Sequence, residues 1–293
     1  MRVRLLVRLL LAITLGGCAG APRLLEPTGA PRPISLDPAD PGPFGVRELH
    51  NVRVRAGDQR VRLDIYYPAS GSRAPVALVS HGFIENGKDM AGWGRHLASW
   101  GLIAAVPTFP HNSGYFAARN ARSANALLDW LAAQGELPLS PLHGRIDGDR
   151  RAQIGYSLGG EIAFLAAALD SRIAVVVGLD PVDGLFDRAA LAAAPRVKAL
   201  VLLIRSDPTR CNGEGSDQKE LFTALGGPKL LDRVHGADHC TPEFPVSALC
   251  KLACGRDDLT LRRIFLRDTT ALLLWRLAGN IDMRRWIARL GSP

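Results

Sequence analysis

The chain has 293 residues, 47% of them hydrophobic, and a formal net charge of +8. That length supports one large domain with a full core. No apolar run beyond the N-terminus is long enough to cross a bilayer, and no Lys/Arg stripe with interleaved aromatics is visible, so neither a membrane-spanning body nor a nucleic-acid partner is expected.

In chain order, Met1-Arg2-Val3-Arg4 is a basic start, and Leu5 to Leu15 is apolar but interrupted by Arg8. It is too short to span a membrane and reads as an export leader. It ends in Leu15-Gly16-Gly17-Cys18, which resembles a bacterial lipobox. The resemblance implies cleavage after residue 17, lipidation of Cys18 and a lipid-anchored position in the cell envelope. The other reading is an ordinary leader cut near Ala19 or Ala21. Residues 18–45, rich in Pro, Gly and Ala, read as a tether, and residues 46–293 as the folded domain.

Val52 to Arg55 and Val61 to Tyr67 alternate apolar and polar residues around Gly57-Asp58, an antiparallel hairpin. Ala74 to Ser80 is apolar on both faces, as in a central parallel strand. Met90, Trp93, Leu97 and Trp100 fall at helical spacing, with Gly101 as the stop. A strand over 102–106, a helix over 117–133 and a strand over 149–154 follow. Further strands are expected over 173–179, 197–204 and 229–234, a helix over 221–225 and a long closing helix over 259–277. Alternating strands and helices predict an α/β fold: a mainly parallel sheet covered on both faces, with the hairpin at its N-terminal side.

The stretch Gly155-Tyr156-Ser157-Leu158-Gly159 reads G-x-S-x-G between a short strand and an Ala/Leu-rich helix. This is a candidate nucleophile elbow. A strained turn would hold the Ser157 hydroxyl above the sheet and aim the Leu158 amide at a developing oxyanion. A serine nucleophile needs a base and an orienting acid, in the order Ser, Asp, His for this kind of turn. Only His235 and His239 follow Ser157, and His239 in Gly236-Ala237-Asp238-His239-Cys240 is preferred as the base. Asp207, just beyond the strand over 197–204, is the first choice of acid. Asp180 and Asp183, one strand earlier, are the alternatives, with turn formation as their plainer role. The second oxyanion amide is expected from Phe83, in the loop after Ser80, with His81 a packing histidine.

Ser80-His81-Gly82-Phe83, the helix Trp93 to Gly101, the elbow and Gly-Ala-Asp-His-Cys together resemble the bacterial cutinase and polyester-hydrolase group of α/β-hydrolases. The resemblance spans roughly residues 70–245. It implies a triad of Ser157, Asp207 and His239, oxyanion amides from Phe83 and Leu158, and an ester substrate, small or lipid-like. Val182 falls where that group often carries a tryptophan. Asp180-Pro181-Val182-Asp183-Gly184 resembles chlorophyllases instead, which implies an acid within that segment. Hydrolysis of a carboxylic ester is the expected activity. Acyl transfer by the same residues and a non-catalytic envelope-binding lipoprotein are the alternatives. Membrane contact is expected only through Cys18.

No metal or organic cofactor is expected. Cys250 and Cys254 have loosely metal-like spacing, but no second pair completes a set. An even count of Cys211, Cys240, Cys250 and Cys254 in an exported chain predicts disulfides. If the Asp207 and His239 loops are neighbours, Cys211 pairs with Cys240 and Cys250 with Cys254.

Overall fold

The computed structural model describes residues 36–183 and 187–290. The expected leader, Cys18, much of the expected tether and Gly184 lie outside the described residues. The strands are β1 (Val46–Ala56), β2 (Gln59–Pro68), β3 (Ala74–Ser80), β4 (Ile103–Thr108), β5 (Ile146–Tyr156), β6 (Ile173–Leu179), β7 (Leu200–Arg205) and β8 (Lys229–Arg233). The helices are α1 (Ala91–Ser99), α2 (Ala117–Glu136), α3 (Leu158–Leu169), α4 (Ala189–Ala193), α5 (Ser216–Ala224), α6 (Ala248–Ala253), α7 (Leu259–Arg276) and α8 (Arg284–Ile287).

All eight strands form one sheet in the order β1-β2-β4-β3-β5-β6-β7-β8. The β1–β2 and β2–β4 pairs are antiparallel; every pair from β4 to β8 is parallel. This is the expected α/β-hydrolase architecture with its N-terminal hairpin. Because side chains alternate along a strand, each inner strand feeds two cores. Val76 and Leu78 of β3, with Val201 and Leu203 of β7, join the core under α2 and α3. Ala77 and Val79, with Leu202 and Ile204, join the core under α1 and α7. Strands apolar on both faces thus fix a three-layer sandwich.

Strands β1 and β5 and helix α5 begin earlier than expected, and two further boundaries differ for a visible reason. Residues 36–45 do not behave as a free tether. Pro38 O accepts a hydrogen bond from His96 Nε2 at 3.0 Å and Asp40 O one from Trp100 Nε1 at 2.8 Å. A Cβ at Gly42 would lie 2.2 Å from Ser99 O, so glycine is required for this close approach. Burial pushes His96 down to about 4, consistent with a neutral ring donating to Pro38. Strand β7 begins at Leu200 rather than Val197, because Ala194–Arg196 form a 3-10 turn and Val197 follows it as a buried loop residue. Short helices α4, α6 and α8 were not expected; none is long enough to show a helical period.

Candidate active site

The elbow joins β5 to α3. Ser157 has φ +53° and ψ −122°, a conformation costly for any side chain, on the order of 1–3 kcal/mol. Neighbouring contacts hold it there. Its amide donates to Leu179 O at 3.2 Å, and its carbonyl accepts from Val182 N at 3.0 Å and Gly160 N at 2.9 Å. The flanking glycines are steric necessities. A Cβ at Gly155 would lie 1.9 Å from Gly159 O, one at Gly159 2.3 Å from Ser80 O, and one at Gly160 2.4 Å from Pro181 Cβ. The turn therefore packs against two loops at once, the one after β3 and the one after β6.

His239 reaches Ser157 from the loop after β8. That loop is braced by α1 and α7: Trp93 Nε1 donates to Pro242 O at 2.7 Å, Gly92 N to Phe244 O at 2.8 Å, and Arg262 Nε to Thr241 O at 2.9 Å. His239 Nε2 lies 3.0 Å from Ser157 Oγ, and the imidazole tilts against the Tyr156 ring with centroids 5.2 Å apart. Its Nδ1 lies 2.7 Å from Asp180 Oδ2.

Asp180, at the end of β6, is fully buried. Besides His239, it faces Ser206 N at 2.8 Å, Ser206 Oγ at 2.5 Å, Gln218 Nε2 at 2.8 Å and Asn212 Nδ2 at 3.1 Å. Every partner is a donor, the environment of an ionised carboxylate. Burial pushes Asp180 up, but the hydrogen bond and charge of His239 and the Ser206 bonds outweigh it and hold the carboxyl below its usual range. An ionised Asp180 fixes the tautomer: Nδ1 donates to Asp180, so Nε2 is left to accept from the Ser157 hydroxyl. Gln218 is itself oriented by Arg205 Nε, at 3.0 Å from its Oε1.

Asp207, the first choice of acid, does not reach His239. Its Oδ2 accepts from Gly236 N at 2.8 Å and its Oδ1 from Arg233 at 3.0 Å. Its amide donates to Ala237 O at 2.9 Å. The Gly236 amide first, then Arg233, lowers its carboxyl below the usual range. Asp207 is an exposed brace at the base of the histidine loop, where exposed His235 also sits, 3.6 Å from Asp207 Oδ1. The physical reason is placement: the Asp180 segment is hydrogen-bonded to the Ser157 backbone, whereas Asp207 turns out toward β8. Asp183 is not at the histidine either. Its two oxygens accept from Ala190 N and Leu191 N at 3.0 and 2.6 Å, capping α4.

The four cysteines are paired, but not as expected. Cys211 bonds Cys254, and Cys240 bonds Cys250, with Cα–Cα distances of 5.7 and 5.8 Å. Cys250 lies on α6 and Cys254 caps it, so they stand one turn apart on the same face. Both therefore reach inward to separate loops instead of to each other. Cys240, Glu243 and Cys250 come together in the manner of a metal site, but the two sulfurs are already bonded to one another. Disulfides form and persist in oxidising compartments. Among the described residues no helix is long and apolar enough to cross a membrane.

A cleft of about 350 Å³ opens over Ser157 and His239, walled by Phe83, Ile84, Tyr156, Val182, Leu249 and both half-cystines of α6, Cys250 and Cys254. Leu158 is the first residue of α3, where helix amides have no partner one turn back. The loop bearing Phe83 is pinned by Gly82 N donating to Glu85 Oε2 at 2.7 Å. Burial first, then the charge of Glu243, pushes Glu85 up to about 9. His81 is buried. It lies 2.9 Å from Gly82 O through Nδ1 and accepts from Phe109 N through Nε2 at 3.3 Å, a packing role.

The family described as PETase, PET hydrolase-like, matches residues 26–205, more than half of the chain. The chain belongs to that family. It is also similar to Lipase 1 of Moraxella sp. (strain TA144), with 26% identity over 212 residues. That match covers 71% of this chain and 62% of the lipase, so the chain spans less than two thirds of this curated relative's length. The family match includes Phe83, Ser157 and Asp180 but ends before His239, whose place is known from the geometry above.

The helpers of Asp180, namely Ser206, Asn212 and Gln218, escaped the sequence reading. Ser206 adjoins the expected strand end and could have been noticed. Asn212 and Gln218 lie in loop and helix sequence with no distinguishing pattern.

Proposed function

We propose that this chain hydrolyses carboxylic esters through an acyl-enzyme, with Ser157 as nucleophile, His239 as base and Asp180 as the orienting acid. The observation that carries this reading is the contact line from Ser157 Oγ through His239 to Asp180, built on a strained elbow. Ser157 Oγ attacks the ester carbonyl as Nε2 takes its proton. Asp180, already ionised, stabilises the imidazolium without accepting the proton. The amides of Leu158 and Phe83 stabilise the tetrahedral oxyanion. Collapse expels the alcohol with the proton from His239, and water activated by the same nitrogen releases the acid.

The family and the lipase relative support an ester as substrate. The cleft suits an apolar acyl chain, since aliphatic Ile84, Val182 and Leu249 share its wall with Phe83 and Tyr156. A panel of p-nitrophenyl esters of rising acyl length tests the activity and reads the chain-length preference. Ser157→Ala should lower turnover by at least about a thousandfold. Near-normal turnover in a folded Ser157→Ala protein would sink the reading.

The leader and Leu15-Gly16-Gly17-Cys18 support export and a lipid anchor at Cys18. Detergent partitioning of the bacterially expressed protein against Cys18→Ser tests the anchor, which fails if the two partition alike.

A further inference from the structure

The hairpin at the sheet's N-terminal side carries a feature that ester hydrolysis does not use. Alternation along β1 and β2 buries Val54 and Val61 and leaves Arg53, Arg55, Arg60 and Arg62 exposed. The register sets Arg53 opposite Arg62 and Arg55 opposite Arg60. Like charges directly opposite destabilise a sheet, so this ladder has a cost. Among the described residues no hydrogen bond or ion pair reaches the side chain of any of the four. Arginines near the starts of the parallel strands are different: Arg73 pairs with Glu136, Arg150 with Asp147 and Arg172 with Asp170, at 2.8, 2.6 and 2.8 Å.

The ladder lies on the catalytic edge. β2 runs antiparallel to β4 with Arg62 opposite Thr108, the last residue of β4. The hairpin tip therefore projects past the C-terminal ends of the parallel strands, the edge that carries Ser157. A groove of about 900 Å³ runs along the ladder, and Ile84 and Glu85 line both it and the cleft over Ser157. Glu85, raised to about 9, is uncharged near neutral pH and does not offset the arginines. Asp58 at the tip is occupied by Arg119 at 3.0 Å, and Asp64 by Asn51 N at 2.8 Å. Around the cleft mouth stands an apolar rim: Phe83, Ile84 and Leu249 are 41, 59 and 53% exposed.

Unpaired arginines beside exposed apolar side chains match the interfacial region of an anionic bilayer, where guanidinium groups meet phosphates and apolar tips enter the acyl boundary. Single-stranded nucleic acid would call for aromatic platforms between the cations; the rim beside this ladder is mostly aliphatic. We propose that this edge docks on a phospholipid surface bearing net negative charge, with Arg53, Arg55, Arg60 and Arg62 on lipid phosphates and the cleft mouth facing the bilayer. This contact is separate from any anchor at Cys18 and does not depend on the chemistry assigned to Ser157.

The test is co-sedimentation of the full chain with phosphatidylcholine vesicles and with equimolar phosphatidylcholine–phosphatidylglycerol vesicles. The N-terminal segment contributes equally to every variant, so variants are compared with their parent. The parent should favour the anionic vesicles, and raising salt should erase the preference. Replacing all four arginines with glutamine should weaken anionic binding by roughly fivefold per arginine removed, while four lysines retain most of it. Hydrolysis of a soluble p-nitrophenyl ester should stay unchanged in both variants, a check on folding. Equal binding of the glutamine variant and parent to anionic vesicles overturns the proposal. So does a parent that ignores vesicle charge yet binds heparin or DNA through the same arginines.

Discussion

Two aspartates stand at the ends of neighbouring strands and do different work. Asp180 follows β6 fully buried and is surrounded by donors from Ser206, Asn212, Gln218 and His239. Asp207 follows β7 with its side chain 37% exposed, paired to Arg233 and Gly236. Both carboxyls lie below their usual range, so a depressed pKa does not distinguish the acid that orients a histidine from a loop brace. What distinguishes them is the number of buried donors and the identity of the group at the far end. The segment after β6 is bonded to the Ser157 backbone through Val182, and so brings its carboxylate to the Nδ1 end of the histidine, across the ring from Ser157.

The most severe way to break this comparison is Asp180→Asn. An amide there turns a donor toward groups that already donate, and favours the wrong histidine tautomer. Turnover should fall about ten-thousandfold, as expected for the acid of a Ser-His-Asp triad. Steady-state kinetics on a soluble ester measure it, and a loss under tenfold would remove Asp180 from the triad.

The disulfides sharpen the comparison, because each ties α6 to one side of the site. The Cys211–Cys254 bridge, with a separation of 43, should contribute about 4 kcal/mol in the chain-entropy account, and the Cys240–Cys250 bridge, with a separation of 10, roughly 3 kcal/mol. Denaturant midpoints of the two double-serine variants should follow that order. Activity should follow the reverse order, since Cys240 adjoins His239; loosening it should cost at least about tenfold in turnover. Loss of more activity on removing Cys211–Cys254 would contradict the assignment of the histidine loop as the sensitive one.

Asp207→Asn is milder. It weakens an exposed ion pair and a bond to Gly236, together about 1 kcal/mol of stability. Turnover should stay within about tenfold of the parent, and thermal unfolding should register the rest. A larger kinetic loss than from Asp180→Asn would reverse the roles of the two aspartates.

The smallest effect is on acid stability. A carboxyl held below its unfolded value adds stability that is present above about pH 4 and is lost as pH falls through the folded value. Asp180→Asn should therefore flatten the stability curve below pH 4, and Asp207→Asn should flatten it less, because solvent screens an exposed pair. Urea unfolding at several pH values between 2 and 5 reads both slopes.

The elbow was legible because its requirements are local. The strand, the helix and the glycines all sit within a dozen residues of Ser157. The sheet was legible because β3, β6 and β7 are apolar on both faces. The acid was not, because its donors Asn212 and Gln218 lie 32 and 38 residues from it and only the fold assembles them. The neighbouring of the Asp207 and His239 loops was read correctly, since Asp207 does bond Gly236 and Ala237; proximity of loops simply does not fix which side chain turns inward. The same limit applies to the cysteines, whose pairing depends on α6, a six-residue helix without a readable period. The arginine ladder was hidden as two short runs that only the hairpin places face to face.

Helix α6 has one further consequence. Its leucines, Leu249 and Leu252, point to solvent, and Cys250 is its only buried residue. Little apolar burial holds this wall of the cleft; two covalent links do. The sheet and both cores are held by apolar packing, whereas this wall is held by sulfur–sulfur bonds, so a reductant acts on the wall of the cleft before it touches anything that holds the scaffold.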